Sequence, residues 1–278
     1  EKLQVGLFNV MQERDVQIRG FRVRLPLDIC VVASANPEDY TNRGRIITPL
    51  KDRYGAQIRT HYPKQIDIEI DIVDAECSPL LASDGYSITV PRFMKEIIAE
   101  TTSMAREHSD INQRSGVSVR MTIANYESMI SNALRRTILL REDEVVPRVS
   151  DLTSIIPSSS GKIELETVEE GKEGQIIEEL IKKAVKKVFN KAFRSEDFTA
   201  FLQNFTSGRS LEVSDTMPTA VYSQKTQEVS GLHDALQRLE SLDRPAMRAS
   251  AIEFILEGLH LNKKLNKKIL EGEISYWG

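Results

Sequence analysis

Asn36 and Arg120 are polar side chains whose setting in the sequence suits a ligand. Asn36 follows Asp28-Ile29-Cys30-Val31-Val32-Ala33, an apolar run of the kind buried on both faces of a mostly parallel sheet. Pro37 drives the residue before it away from helix and ends the run. The Asn36 amide therefore stands just past the carboxyl end of an expected strand, the edge at which open α/β sheets bind ligands. Arg120 opens an apolar-periodic helix expected over residues 121–140. A guanidinium beside unpaired helix N–H groups suits an anion; the plainer alternative is a surface arginine in a local salt bridge.

Spacing offers little to other chemistries. His61, His108, His233 and His260 are scattered, and none has a second ligand at i+3 or i+4. Local spacing suggests no Ser–His or Cys–His pairing. Cys30 and Cys77 lie far apart, with neither zinc spacing nor a disulfide framework, and read as two reduced thiols. A net charge of -4 argues against wholesale nucleic-acid or membrane binding. No apolar run approaches a membrane span and no signal segment opens the chain, so cytosol is the expected location. A length of 278 residues, 40% hydrophobic and 28% charged, suits two or three soluble domains.

Several elements must position these groups. Residues 2–13 place Leu3, Leu7, Val10 and Met11 at helical spacing, and residues 14–25 alternate as a hairpin turning near Gly20. Arg19, Arg22 and Arg24 stud that hairpin as a solvated face. Thr48 as N-cap and Pro49 at the first helical position start a short helix ending near Arg53. Residues 56–63 are expected as a strand closed by Pro63. Residues 66–72 alternate like a strand, yet Ile66, Ile70, Val73 and Cys77 also fit a helix. Helices follow over 91–106 and 121–140, an acidic, Gly-containing linker over 158–174, and an amphipathic helix over 175–193. The lysine face of that last helix is solvated, with Glu178 and Glu179 at pairing distance; an anionic partner is the alternative. Two more helices are expected over 232–242 and 245–261.

The strand, Ala35-Asn36-Pro37, a polar loop and then Pro49-Leu50-Lys51-Asp52-Arg53-Tyr54-Gly55 resemble the second half of an AAA+ ATPase core. The branch is that of the magnesium-chelatase ATPase subunit and the MoxR-like ATPases, and the likeness covers residues 1–150. Residues 147–152 add a weaker match to the start of the last lid helix. The resemblance implies residues 1–63 as the C-terminal part of an α/β core, 64–157 as a helical lid, and 175–278 as a mostly helical domain beyond the linker. It implies Asn36 as sensor 1, Arg53 as an arginine finger acting in trans, and Arg120 as sensor 2, with Arg114 as its competitor. ATP, Mg²⁺ and a homo-oligomeric ring are implied for the full-length protein; a bound nucleic acid or membrane is not. The sequence contains no Gly-x-x-x-x-Gly-Lys-Ser/Thr and no strand ending in paired acids. It therefore reads as a fragment starting just after the Walker B acids, expected to be inactive alone. A rival reading is a non-catalytic helical interaction module on a partial core.

Overall fold

The computed structural model describes residues 7, 9–13, 15–24, 30–35, 48–77, 85–113, 115–166, 171–206, 208–227, 229–241, 243–270 and 272–278. They divide into two units, Glu1–His61 and Tyr62–Gly278. Strand pairs and short helices mix in the N-terminal part, and the chain beyond is largely helical.

In the first unit a π-type turn, Asn9–Glu13, precedes the hairpin β1 (Asp15–Ile18) and β2 (Phe21–Arg24). Arg19 and Gly20 form its turn with φ of 51° and 86°, the left-handed pair that matches the twist of the flanking strands. Asp15 is buried beneath it and accepts from Arg22 Nε at 2.7 Å. Ile18 and Phe21 face outward at 56% and 76% exposure. The expected short helix is present as α1 (Thr48–Lys51), with Leu50 buried.

Two expected strands are corrected. Residues 30–35 form neither helix nor strand, and Val32 is 90% exposed. The stretch 54–63 is likewise irregular, with Ile58 89% exposed. An apolar β-branched run becomes a strand only when a neighbour accepts its ladder bonds, and β1 and β2 pair only with each other among the described residues.

The second unit begins with α2 (Ile66–Glu76), so helical period prevails over the alternation. Ile70 and Val73 are buried on one face while Ile68 stays 45% exposed. β3 (Ser87–Ile88) leads into α3 (Arg92–Ala105), whose N-cap is Pro91. α4 (Val119–Leu140) ends at Arg141 in a left-handed conformation, and β4 (Glu144–Val145) pairs in parallel with β3. A 3-10 turn, Val149–Ser154, runs into α5 (Ile155–Ser160). Ile163 is then buried, and Leu165 bridges Ile111.

α6 (Lys172–Ala192) lays Ile177, Leu180, Ala184 and Val188 against the core. Four of its lysines lie outward in ion pairs: Lys182 with Glu178, Lys183 with Glu179, and Lys187 and Lys191 with Glu100 and Glu96 of α3. After α7 (Thr199–Gln203) come β5 (Ser210–Ser214), α8 (Thr219–Gln227) and α9 (His233–Arg238). α10 (Pro245–Leu261) is apolar nearly all round and is buried along its length, as such a helix must be. Phe254 of α10 stacks on Phe93 of α3 at 4.5 Å. Gly258 lets the Phe189 ring of α6 come so close that a Cβ there would lie 2.1 Å from it.

The chain then forms β6 (Asn266–Leu270) and β7 (Glu273–Trp277), which with β5 make an antiparallel sheet of order β5–β7–β6. The sequence reading expected a mostly helical domain here and named no strand in it. No helix among the described residues is long and apolar enough to cross a membrane.

Candidate functional site

Arg120 occupies the first turn of α4, whose start is held by a partly buried knot. Ser118 is the N-cap, and its Oγ accepts from the Arg120 N–H at 3.3 Å. Both backbone groups of the preceding Val117 are pinned: its N–H donates to Tyr62 Oη at 3.1 Å and its carbonyl accepts from Arg106 Nε at 3.0 Å. The Arg106 guanidinium lies 4.5 Å over the Tyr62 ring and grips both oxygens of Glu69 at 2.7 Å. Thr122 of α4 donates to the same carboxylate. Glu69 is 1% exposed, so the pair neutralises itself inside the fold with its hydrogen bonds filled. Gly116, at φ 70°, completes the approach; a Cβ there would meet Tyr62 Oη at 2.4 Å.

What the knot presents is Arg120 itself. Its side chain is exposed, and among the described residues it has no hydrogen-bond or ion-pair partner. A cation held at a helix N-terminus without a counter-charge adds to the field of the unpaired N–H groups and leaves an anion as its natural complement. The sequence reading found Arg120 but missed Glu69, Arg106 and Tyr62. A signal for one was present: Glu69 falls on the buried stripe of Ile66, Ile70 and Val73, where a carboxylate needs a partner.

Arg53 lies in the other unit, exposed just beyond α1. Its Nε donates to Gln12 Oε1 at 2.9 Å and its Nη1 to the Pro49 carbonyl at 2.6 Å. Asn36 and Arg114 lie outside the described residues.

A second charged cluster joins α4, the 3-10 turn, α8 and α10. Arg148 is 1% exposed, donates to the Met217 carbonyl at 2.8 Å and Thr219 Oγ1 at 3.0 Å, and stacks on Tyr222 at 4.7 Å. Tyr222 bonds Glu253 at 2.5 Å, and Arg136 bonds Asp151 at 2.8 Å. Burial and the Glu253 charge push the Tyr222 hydroxyl far up, so it stays a donor. Burial opposes the charge on Arg136, but Asp151 outweighs it and raises the guanidinium further. Such a closed set of partners fixes how four elements pack.

Two histidines serve locally: His108 Nδ1 accepts from the Asp110 N–H at 3.3 Å, and His260 Nδ1 meets the Leu265 carbonyl at 3.0 Å. Among the described residues no group of three His, Cys, Asp or Glu could hold a metal ion. Burial, then the charges of Glu127 and Asp74, push the Cys77 thiol up to about 11, which leaves it protonated and unreactive near neutrality. An open groove of about 560 Å³ is lined by Glu127, Ser128, Ser131, Arg135, Ser158 and Lys162.

Against known proteins, no family model matches the chain. No solved structure matches it either. It is 24% identical over 162 residues to the uncharacterized protein YeaC of Bacillus subtilis (strain 168), across 52% of this chain and 48% of that protein. The chain thus spans about half the length of the curated relative it matches.

Proposed function

We propose that this chain is part of an ATP-hydrolysing AAA+ remodelling ATPase of the magnesium-chelatase/MoxR-like branch, working as a cytoplasmic homo-oligomeric ring. The observation that carries the reading is the unpaired Arg120 guanidinium, set at the start of α4 by the Tyr62–Arg106–Glu69 knot. In this reading Arg120 meets the terminal phosphate from the lid, with Arg114 as the alternative. Asn36 orients the attacking water, and Arg53 stabilises charge developing in a neighbouring subunit's site. In the full-length protein ATP would supply the phosphoryl group and Mg²⁺ would neutralise the charge on its oxygens.

The bonds of Arg53 to Gln12 and to the Pro49 carbonyl are solvent-exposed and worth about 0.5–1.5 kcal/mol each. An arginine finger contributes about 10³–10⁵ in rate, so exchanging those bonds for a phosphoryl group costs little. In the full-length protein, Arg53→Ala should keep nucleotide affinity while hydrolysis falls by about that factor. Mixing it with a subunit lacking the phosphate-loop lysine should restore part of the activity. A mixture that stays dead while each variant assembles refutes the action in trans.

A second reading, a non-catalytic helical interaction module, is favoured by the bonds that turn the Arg53 guanidinium back on its own unit. Saturable ATP hydrolysis by the full-length protein excludes it.

A further inference from the structure

We propose that the outer edge of β6 is a strand-addition site for an extended acidic segment of a partner protein. The sheet order β5–β7–β6 places β6 at an edge. Antiparallel pairing with β7 uses one side of the strand, so alternate residues turn their backbone N–H and C=O outward. Among the described residues, no backbone hydrogen bond from outside the sheet reaches residues 266–270. The opposite edge differs: Lys225 Nζ donates to the Glu212 carbonyl of β5 at 3.2 Å.

Side chains around this edge say what it would accept. Ile269 and Leu270 are 62% and 58% exposed and, as successive strand residues, point to opposite faces. They give an added strand apolar contacts on both sides of the sheet. The chain from 261 to 268 reads Leu-Asn-Lys-Lys twice over. Lys267 is bound to Glu257 at 2.6 Å. Lys263, Lys264 and Lys268 are exposed and have no ion pair among the described residues. Two β6 strands side by side would set lysine against lysine, the arrangement by which edge strands resist self-pairing. A strand bearing carboxylates turns that repulsion into attraction. The exposed apolar pair and the open backbone favour an extended peptide over a nucleic acid, whose phosphates need charge alone.

The test uses the full chain and a fluorescein-labelled peptide of alternating glutamate and valine, followed by anisotropy at physiological salt. We expect saturable binding, and loss of at least about tenfold in affinity when alternate peptide amides are N-methylated. The triple variant Lys263→Glu/Lys264→Glu/Lys268→Glu should lose binding while its circular dichroism is unchanged. Hydrogen exchange of the native chain should slow within residues 266–270 on adding the peptide. Equal binding of the N-methylated peptide, or tighter binding of a labelled single-stranded oligonucleotide, overturns the proposal. So does unaltered exchange of β6, or no binding at all.

Discussion

Replacing Arg106 by alanine tests whether the knot at the start of α4 is a structural support. The substitution strands Glu69, 1% exposed, with Thr122 as its remaining side-chain partner. Removing one member of a buried ion pair costs about 3–5 kcal/mol, because the other charge stays in a poorly polarisable site. Also lost are the bond to the Val117 carbonyl and the stacking on Tyr62, worth about 0.5–1.5 and about 0.5–2 kcal/mol. All three share one side chain and do not add, so the first sets the scale. For a body the size of Tyr62–Gly278, each kcal/mol shifts Tm by about 2–4 °C, which gives a fall of roughly 6–20 °C. The assay is urea and thermal unfolding by circular dichroism, with Arg120→Ala as comparison. That exposed side chain has no partner among the described residues and should cost no more than about 0.5 kcal/mol. A loss below about 1 kcal/mol for Arg106→Ala, or an equal loss for Arg120→Ala, would show that the knot is not such a support.

Three further outcomes are expected. Gly116→Ala should destabilise by about 1–3 kcal/mol, through its φ of 70° and the 2.4 Å approach to Tyr62 Oη; Tyr62→Phe should recover part of that loss, measured by urea unfolding of the double variant. Gly258→Ala should also destabilise, by about 1–3 kcal/mol, because crowding of the Phe189 ring outweighs the usual helical gain of alanine over glycine; a rise in Tm would refute this. Iodoacetamide at pH 8 should label the exposed Cys30 and spare Cys77 until the protein unfolds, read by peptide mass mapping. Since folding raises the Cys77 thiol from 9.0 to about 11, its share of stability is whole below pH 9 and declines as pH climbs through 11.

Helices with a wide apolar stripe were legible. The stripe of Phe93, Ile97 and Ile98 and that of Ile177, Leu180 and Ala184 fix both the helix and the face it buries. Where period was ambiguous, as at residues 66–72, tertiary packing decided. A helix buries Ile70 and Val73 together and leaves Ile68 outside, whereas a strand would have put Ile66, Ile68, Ile70 and Ile72 all on one face. The apolar run around Val32 and the segment around Ile58 misled because strand formation depends on a partner strand, which composition does not report. For the same reason the C-terminal sheet was invisible: Leu211 lies opposite Tyr276, far along the chain, and lysines disguise β6. At the candidate site, Arg120 was legible as a cation at a helix start. Its supports were not, because Tyr62, Glu69 and Arg106 meet only through the packing of α2, α3 and α4.

The order of strands in that sheet bears on synthesis. β5 pairs with β7 and not with β6, so on emerging from the ribosome it has no partner until the far hairpin has been made. Translation at about 5–20 residues per second leaves Leu211 and Val213 without their sheet for several seconds. During that interval α8, α9 and α10 are being completed, and α10, apolar on nearly every side, has its own surface to cover. A nascent chain stalled after Leu261 should therefore be cut readily by protease near β5. A chain extended past Trp277 should resist, because closing that hairpin seals both apolar surfaces in one step.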